Sequence, residues 1–117
     1  MKFLVTGASG FTGYHFINLV KGYGHEVFAL KASLEDKSSL HTEVQTIKPD
    51  IVVNLAGVSF VGESDPNLFY SVNVIGVTNL LDQLLLLPTP PQRILLVSTA
   101  NVYGNCLQMP ITENMLP

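Results

Sequence analysis

The stretch Lys2-Phe3-Leu4-Val5-Thr6-Gly7-Ala8-Ser9-Gly10-Phe11-Thr12-Gly13 decides the fold. Its first five residues form a short run rich in apolar side chains and lacking strict alternation, which suits a strand covered on both faces better than one with a wet side. The run ends in glycine. From Phe11 to Gly22 the apolar residues Phe11, Tyr14, Phe16, Ile17, Leu19 and Val20 recur near helical spacing, and Gly22 with Gly24 supplies a stop. A strand, a tight glycine-rich turn and an amphipathic helix are therefore predicted in immediate succession.

Outward from that unit the pattern repeats. His25 to Leu30 reads as a second strand, followed by a polar stretch in which Ser33 or Asp36 caps a short helix from about Lys37 to Lys48. Pro49-Asp50 breaks that helix, and Ile51-Val52-Val53-Asn54-Leu55-Ala56-Gly57 is a third buried strand. Asp65-Pro66 reads as an N-cap with proline at the first helical position, opening a long helix to about Leu87 that the cluster Pro88-Thr89-Pro90-Pro91 ends. Ile94 to Thr99 is a fourth buried strand, and everything after Tyr103 reads as loop. Strands alternating with helices predict a parallel sheet with right-handed crossovers, which is an α/β, Rossmann-like doubly wound arrangement in three αβα layers. Four strands patterned for burial, with few helices to cover them, also predict exposed apolar surface.

The chain of 117 residues is 47% apolar and 13% charged, enough for one buried core. A formal charge of −3 with six scattered Lys and Arg residues gives no basic field for nucleic acid or anionic membranes. The single cysteine, Cys106, forms no intrachain disulfide and belongs to no Cys-x-x-Cys pair. No apolar run is read as a membrane span and no signal-peptide core is present, so the expectation is a soluble, cytoplasmic protein. His15, His25 and His41 lack metal-like spacing, and no metal site is expected.

The turn has the spacing G-x-x-G-x-x-G, one residue wider in its first interval than G-x-G-x-x-G. The mechanics are shared: Gly7 lets the chain turn sharply off the strand, Gly10 lets backbone approach a phosphate, and Gly13 lets helix pack close to strand. Free N–H groups and the positive end of the helix dipole then face an anion. Following the first strand and opening a helix, the segment Gly7, Ser9, Gly10, Phe11, Thr12 and Gly13 is read as the pyrophosphate site of NADP(H) or NAD(H). An acidic residue for the ribose 2′-hydroxyl is expected about 20 residues on. Lys31 stands there instead, which tilts the reading toward a 2′-phosphate, although Glu35 and Asp36 lie close by.

Four segments carry a family resemblance. Val5 to Gly13 matches a T-G-x-x-G-F-x-G turn, Lys48 to Gly57 resembles P-D-x-V-x-x-L-A-A/G, Asn73 to Leu81 resembles N-x-x-G-T-x-N-L-L, and Val97 to Gly104 resembles S-[ST]-x-x-V-Y-G. In order and at family spacing across essentially the whole chain, these are similar to the N-terminal part of the extended short-chain dehydrogenases/reductases, which include nucleotide-sugar epimerases, dehydratases and reductases. The resemblance implies that Leu55, Ala56 and Gly57 lie against the nicotinamide ribose and that Thr99 is the catalytic Ser/Thr. It also implies a structural role for Asn73 in bracing the active-site strand, and a nucleotide sugar, GDP- or dTDP/UDP-linked, as substrate. Relatives often pair through helices like that from Pro66 to Leu87, which makes a homodimer the expected self-association.

The family's acid/base pair, Tyr-x-x-x-Lys, does not occur here. The residues four places after Tyr14, Tyr23, Tyr70 and Tyr103 are Asn18, Val27, Val74 and Leu107. The chain is accordingly expected to be the front part, residues 1–117, of a longer enzyme whose substrate-binding C-terminal part lies beyond it, and to be inactive alone. Ala100 and Asn101 follow Thr99 where dehydratases carry acid/base residues, which argues against 4,6-dehydration. The short passage from Ala32 through Lys37 is similar to the 4-keto-6-deoxy sugar reductases, with the GDP-4-keto-6-deoxy-mannose reductase branch nearest, although Ser33-Leu34 stands where that branch often has Asp-Leu beside adenine. A 4-epimerase is the main alternative, and a noncatalytic nucleotide-binding regulatory subunit is the alternative of another class.

Overall fold

The computed structural model of the chain describes residues 1–58, 66–104 and 109–116. Four strands, β1 (Lys2–Thr6), β2 (Glu26–Ala29), β3 (Ile51–Asn54) and β4 (Arg93–Leu96), form one parallel sheet in the order β2-β1-β3-β4. Helices α1 (Phe11–Gly22) and α2 (Lys37–Ile47) connect the first three strands. Between β3 and β4 a helical stretch comprises α3 (Pro66–Tyr70), a π-helical segment (Ser71–Gly76) and α4 (Val77–Leu85). The expected α/β architecture is the observed one.

Alternation along β1 sorts the layers. Phe3 packs on one face with Phe16 of α1, ring centroids 6.3 Å apart, and stacks on His25 at 5.3 Å. Leu4 faces the other way, into a core with Val52, Leu34, Leu40, Val44, Ile47, Leu80, Leu84 and Leu87. Helices thus cover both faces, α1 on one and α2 with α4 on the other. Full burial of each aliphatic side chain in that core contributes about 1.5–3 kcal/mol, so the α2/α4 face anchors the sheet.

Local chemistry sets the element ends. Asp36 caps α2 by accepting from Ser38 N at 3.1 Å and Ser39 N at 3.2 Å. After α2, Lys48 takes a left-handed conformation, φ 49°, just before Pro49. Asp50 then ties the sheet's start together, its Oδ2 accepting from Lys2 N at 2.7 Å. Asp65, expected as an N-cap, and Cys106 lie outside the described residues.

Three expectations change. The long helix is interrupted by the π-helical segment, which carries Val72 and Asn73 and re-aims successive side chains in a way an uninterrupted helix does not. The fourth strand is not buried: Ile94 is 40% exposed, Leu95 53%, Leu96 44% and the following Val97 56%. It is the last strand in the sheet order, with β3 as its strand neighbour, so its apolar pattern meets solvent. The helical stretch 67–85 is, against expectation, long and apolar enough by length and composition to cross a membrane. Leu80 and Leu84 are nevertheless core residues, and the buried Asn79 donates to the Leu34 carbonyl at 2.9 Å, as in a packed helix of a folded domain.

Candidate active site

The strands' carboxyl ends, where an open α/β sheet binds its ligands, carry polar residues behind apolar ones. Thr6 ends β1 and Asn54 ends β3, paired across the ladder and both buried. The Thr6 hydroxyl donates to Asn54 Oδ1 at 2.6 Å and accepts from Ala56 N at 3.0 Å. This relay holds the chain leaving β3 against the turn leaving β1. Sequence reasoning missed it, although a polar residue closing each of two apolar strands is a readable signal.

The turn itself needs its glycines. Gly7 sits at φ +63°, and a Cβ there would lie 2.6 Å from Leu55 C and 2.7 Å from Ala56 N. A Cβ on Gly13 would collide with the Gly7 carbonyl oxygen and lie 2.8 Å from Ala8 Cα. Gly10 has only the Gly7 carbonyl oxygen within reach, at 3.3 Å, and its other surroundings are open. Gly10 also stands at the N-cap of α1, and among the described residues no side chain caps that helix. The first-turn N–H groups, with no intrahelical partners, therefore remain for an external acceptor, and the bare glycine surface permits close approach. An uncapped N-terminus behind a glycine cradle fits the pyrophosphate of a dinucleotide. Ser9, Phe11 and Thr12 lie exposed around this turn.

Two cavities flank the relay and share Ala56. The smaller, about 180 Å³, has Gly7, Leu30, Ala32, Leu34 and Val72 among its lining residues, with Ser33 and Glu35 adding polar groups. Its largely apolar walls suit a flat heteroaromatic ring. Lys31, between two lining residues, is exposed, and its backbone N–H donates to the Glu43 carboxylate at 3.0 Å. The larger cleft, about 540 Å³, brings Leu55, Ala56, Gly57 and Thr99 together, with Asn73, Ser98 and Asn101 also on its wall.

Thr99 caps a short 3₁₀ turn (Ala100–Tyr103), accepting from Asn101 N at 3.2 Å. That contact uses an oxygen lone pair, so the Thr99 hydroxyl proton can be donated into the cleft. Asn73 grips Val58 from both sides, accepting from Val58 N at 2.8 Å and donating to Val58 O at 2.9 Å. It is an exposed residue, not one on a buried helix face as its leucine-rich surroundings suggest, and its bracing partner is the loop after β3. Thr99 and the expected nicotinamide-side residues thus meet in one cleft, while Gly7 belongs to the neighbouring cavity. Among the described residues, no group of three or more His, Cys, Asp or Glu side chains is placed to hold a metal ion.

The sequence profile of the NAD dependent epimerase/dehydratase family matches residues 3–117. A GDP-6-deoxy-D-talose 4-dehydrogenase of Aggregatibacter actinomycetemcomitans is 36% identical over 122 residues, covering 100% of this chain and 42% of that protein. A UDP-glucose 4-epimerase of Halalkalibacterium halodurans is 33% identical, covering 97% of this chain and 39% of its own length. Among solved structures, UDP-glucose 4-epimerase from Brucella ovis in complex with NAD superposes with a TM-score of 0.87 at 28% identity, over 97% of this chain and 40% of that one. The chain thus spans about two fifths of the relatives it matches.

Proposed function

The chain belongs to the NAD dependent epimerase/dehydratase family, and on that premise we propose that it is the cofactor-binding part of a nucleotide-sugar oxidoreductase acting at the sugar's C4. The observation that carries this reading is the single cleft holding Thr99 beside Leu55, Ala56 and Gly57. The residues from Gly7 to Gly13 hold the pyrophosphate on their amides, the smaller cavity takes the adenosine side, and the β3 end bears on the nicotinamide ribose. Bound nicotinamide dinucleotide supplies the hydride acceptor or donor. The Thr99 hydroxyl donates to the reacting oxygen at C4, polarising that bond, while Asn101 N fixes the oxygen from which it donates. The proton exchanged at that oxygen needs a general acid/base, which the family resemblance assigns to a Tyr-x-x-x-Lys pair absent from these residues.

Reduction of a GDP-4-keto-6-deoxy sugar is the favoured direction. Oxidation at C4, the reaction named for the 36% identical relative, is that same chemistry run backwards. The second reading, 4-epimerisation of a UDP-hexose, is supported by the 33% identical epimerase. Steady-state assays on the protein as encoded in its organism separate them. A reductase consumes reduced nicotinamide in step with a GDP-4-keto-6-deoxyhexose, whereas an epimerase converts UDP-glucose with no net consumption. Thr99→Val should lower kcat by about 10²–10⁴-fold, the usual scale for losing a positioned proton-transfer or polarising group; an unchanged kcat removes Thr99 from the site.

A further inference from the structure

Glu43, on α2, reaches back to the chain that leaves β2. Its Oε1 accepts from Lys31 N at 3.0 Å, and its Oε2 accepts from Lys31 N at 3.2 Å and from Ala32 N at 2.8 Å. A carboxylate is thereby seated on two successive main-chain N–H groups, a donor arrangement equally suited to a phosphate. The place is specific, because Leu30 and Ala32 line the smaller cavity together with Gly7. In a βαβ dinucleotide site the end of the second strand is where the adenosine ribose presents its 2′ position. NADP(H) carries a phosphate there and NAD(H) a hydroxyl.

We propose that Glu43 is a specificity-determining residue that makes this site take NAD(H) in preference to NADP(H), by occupying the Lys31 and Ala32 amides with a resident carboxylate. The inference rests on the dinucleotide reading of the site. A 2′-phosphate arriving at this end of β2 finds its main-chain donors taken and meets a like charge. Another carboxylate, Glu35, lines the cavity that Leu30 and Ala32 border and adds to that field. Ser33 Oγ, also on that lining, already accepts from Glu35 N at 3.2 Å. Lys31 is the opposing cation. Its side chain is exposed, and the carboxylates nearest it in the loop and on the helix behind are Glu35 and Asp36 in sequence and Glu43, which holds its backbone N–H. A ribose hydroxyl, uncharged, carries none of this penalty. The acidic group that dinucleotide folds usually place at the end of the second strand is thus supplied twelve residues later, from a helix.

The test is calorimetric or fluorescence titration of the protein with NADH and with NADPH, comparing wild type, Glu43→Gln and Glu43→Asp. Circular dichroism confirms that each variant is folded. Wild type should bind NADH more tightly. Glu43→Gln, which removes the charge, should lower the ratio of the NADPH and NADH dissociation constants by about tenfold or more, the scale of removing one close like charge. Glu43→Asp, which keeps the charge on a shorter stem, should retain most of the discrimination. Three results would overturn the proposal: wild type binding NADPH as tightly as NADH, a ratio unmoved in Glu43→Gln, or equal weakening of both cofactors, which would leave Glu43 a purely structural brace. Failure of wild type to bind either cofactor would instead remove the dinucleotide reading itself, and this inference with it.

Discussion

The Asn79 side-chain amide donates to the Leu34 carbonyl oxygen at 2.9 Å, joining α4 to the loop that walls the smaller cavity. One turn earlier, Gly76 lies so close to the same residue that a Cβ on it would come within 2.9 Å of Leu34 Cβ. Asn73, one further turn back, holds Val58. Three residues spaced by three along one helical stretch thus fix both loops that shape the two cavities. Asn79→Leu keeps the volume but leaves the buried Leu34 carbonyl without its donor, at a cost of about 1–3 kcal/mol. Denaturant titration should show that loss, and cofactor affinity should fall with it. A midpoint equal to wild type would mean that the carbonyl finds another donor.

At Gly7 the demand is on the backbone. Alanine there would adopt a left-handed conformation at about 1–3 kcal/mol and would also push against the Leu55 and Ala56 main chain. Gly7→Ala is expected to displace the β3 end and to abolish measurable NADH binding in a titration. Full-strength binding by the variant would show that the pyrophosphate does not sit on this turn.

These requirements explain why the glycine turn of the candidate site was legible. Gly7 and Gly13 are needed because nothing larger fits, so residue type alone records the geometry. Thr99 was singled out through its neighbours Val102 to Gly104, and it lines the larger cleft together with Leu55, Ala56 and Gly57. The π-helical segment was not legible, since Ser71 to Gly76 contains no residue that breaks a helix outright. Nor was Glu43, whose partners are main-chain amides, which look the same at every position in a sequence. The apolar pattern of β4 was read correctly as a sheet strand, but pattern reports what a strand is suited to, not which neighbours it has.

Asp36 gives the fold a pH response. The Ser39 hydroxyl first, then the Ser39 and Ser38 N–H groups, hold its carboxyl below the usual carboxylate value. A lowered folded-state pKa means that the capping contribution is complete above the unfolded value, near 3.8, and is lost as pH falls through the folded one. The melting temperatures of wild type and Asp36→Ala should therefore differ most at neutral pH and converge as the solution is acidified below about pH 4. A gap that stays constant through that window would show that the charge on the cap carries no stability.

The edge at β4 yields the last expectation. Ile94 and Leu96 point to one face of the sheet, Leu95 and Val97 to the other, and all four are at least 40% exposed. Among the described residues this strand has apolar side chains on both faces and one strand neighbour, which puts edge backbone groups and uncovered hydrocarbon together, the combination that recruits another chain. The 117-residue chain should therefore sediment as a concentration-dependent mixture rather than as a single monomer. Leu95→Lys places a charge on one face of that edge and should shift the distribution toward monomer without lowering the melting temperature, because Leu95 is not part of the core. A cooperative, monomeric melt at all concentrations would show that the edge is protected without any partner.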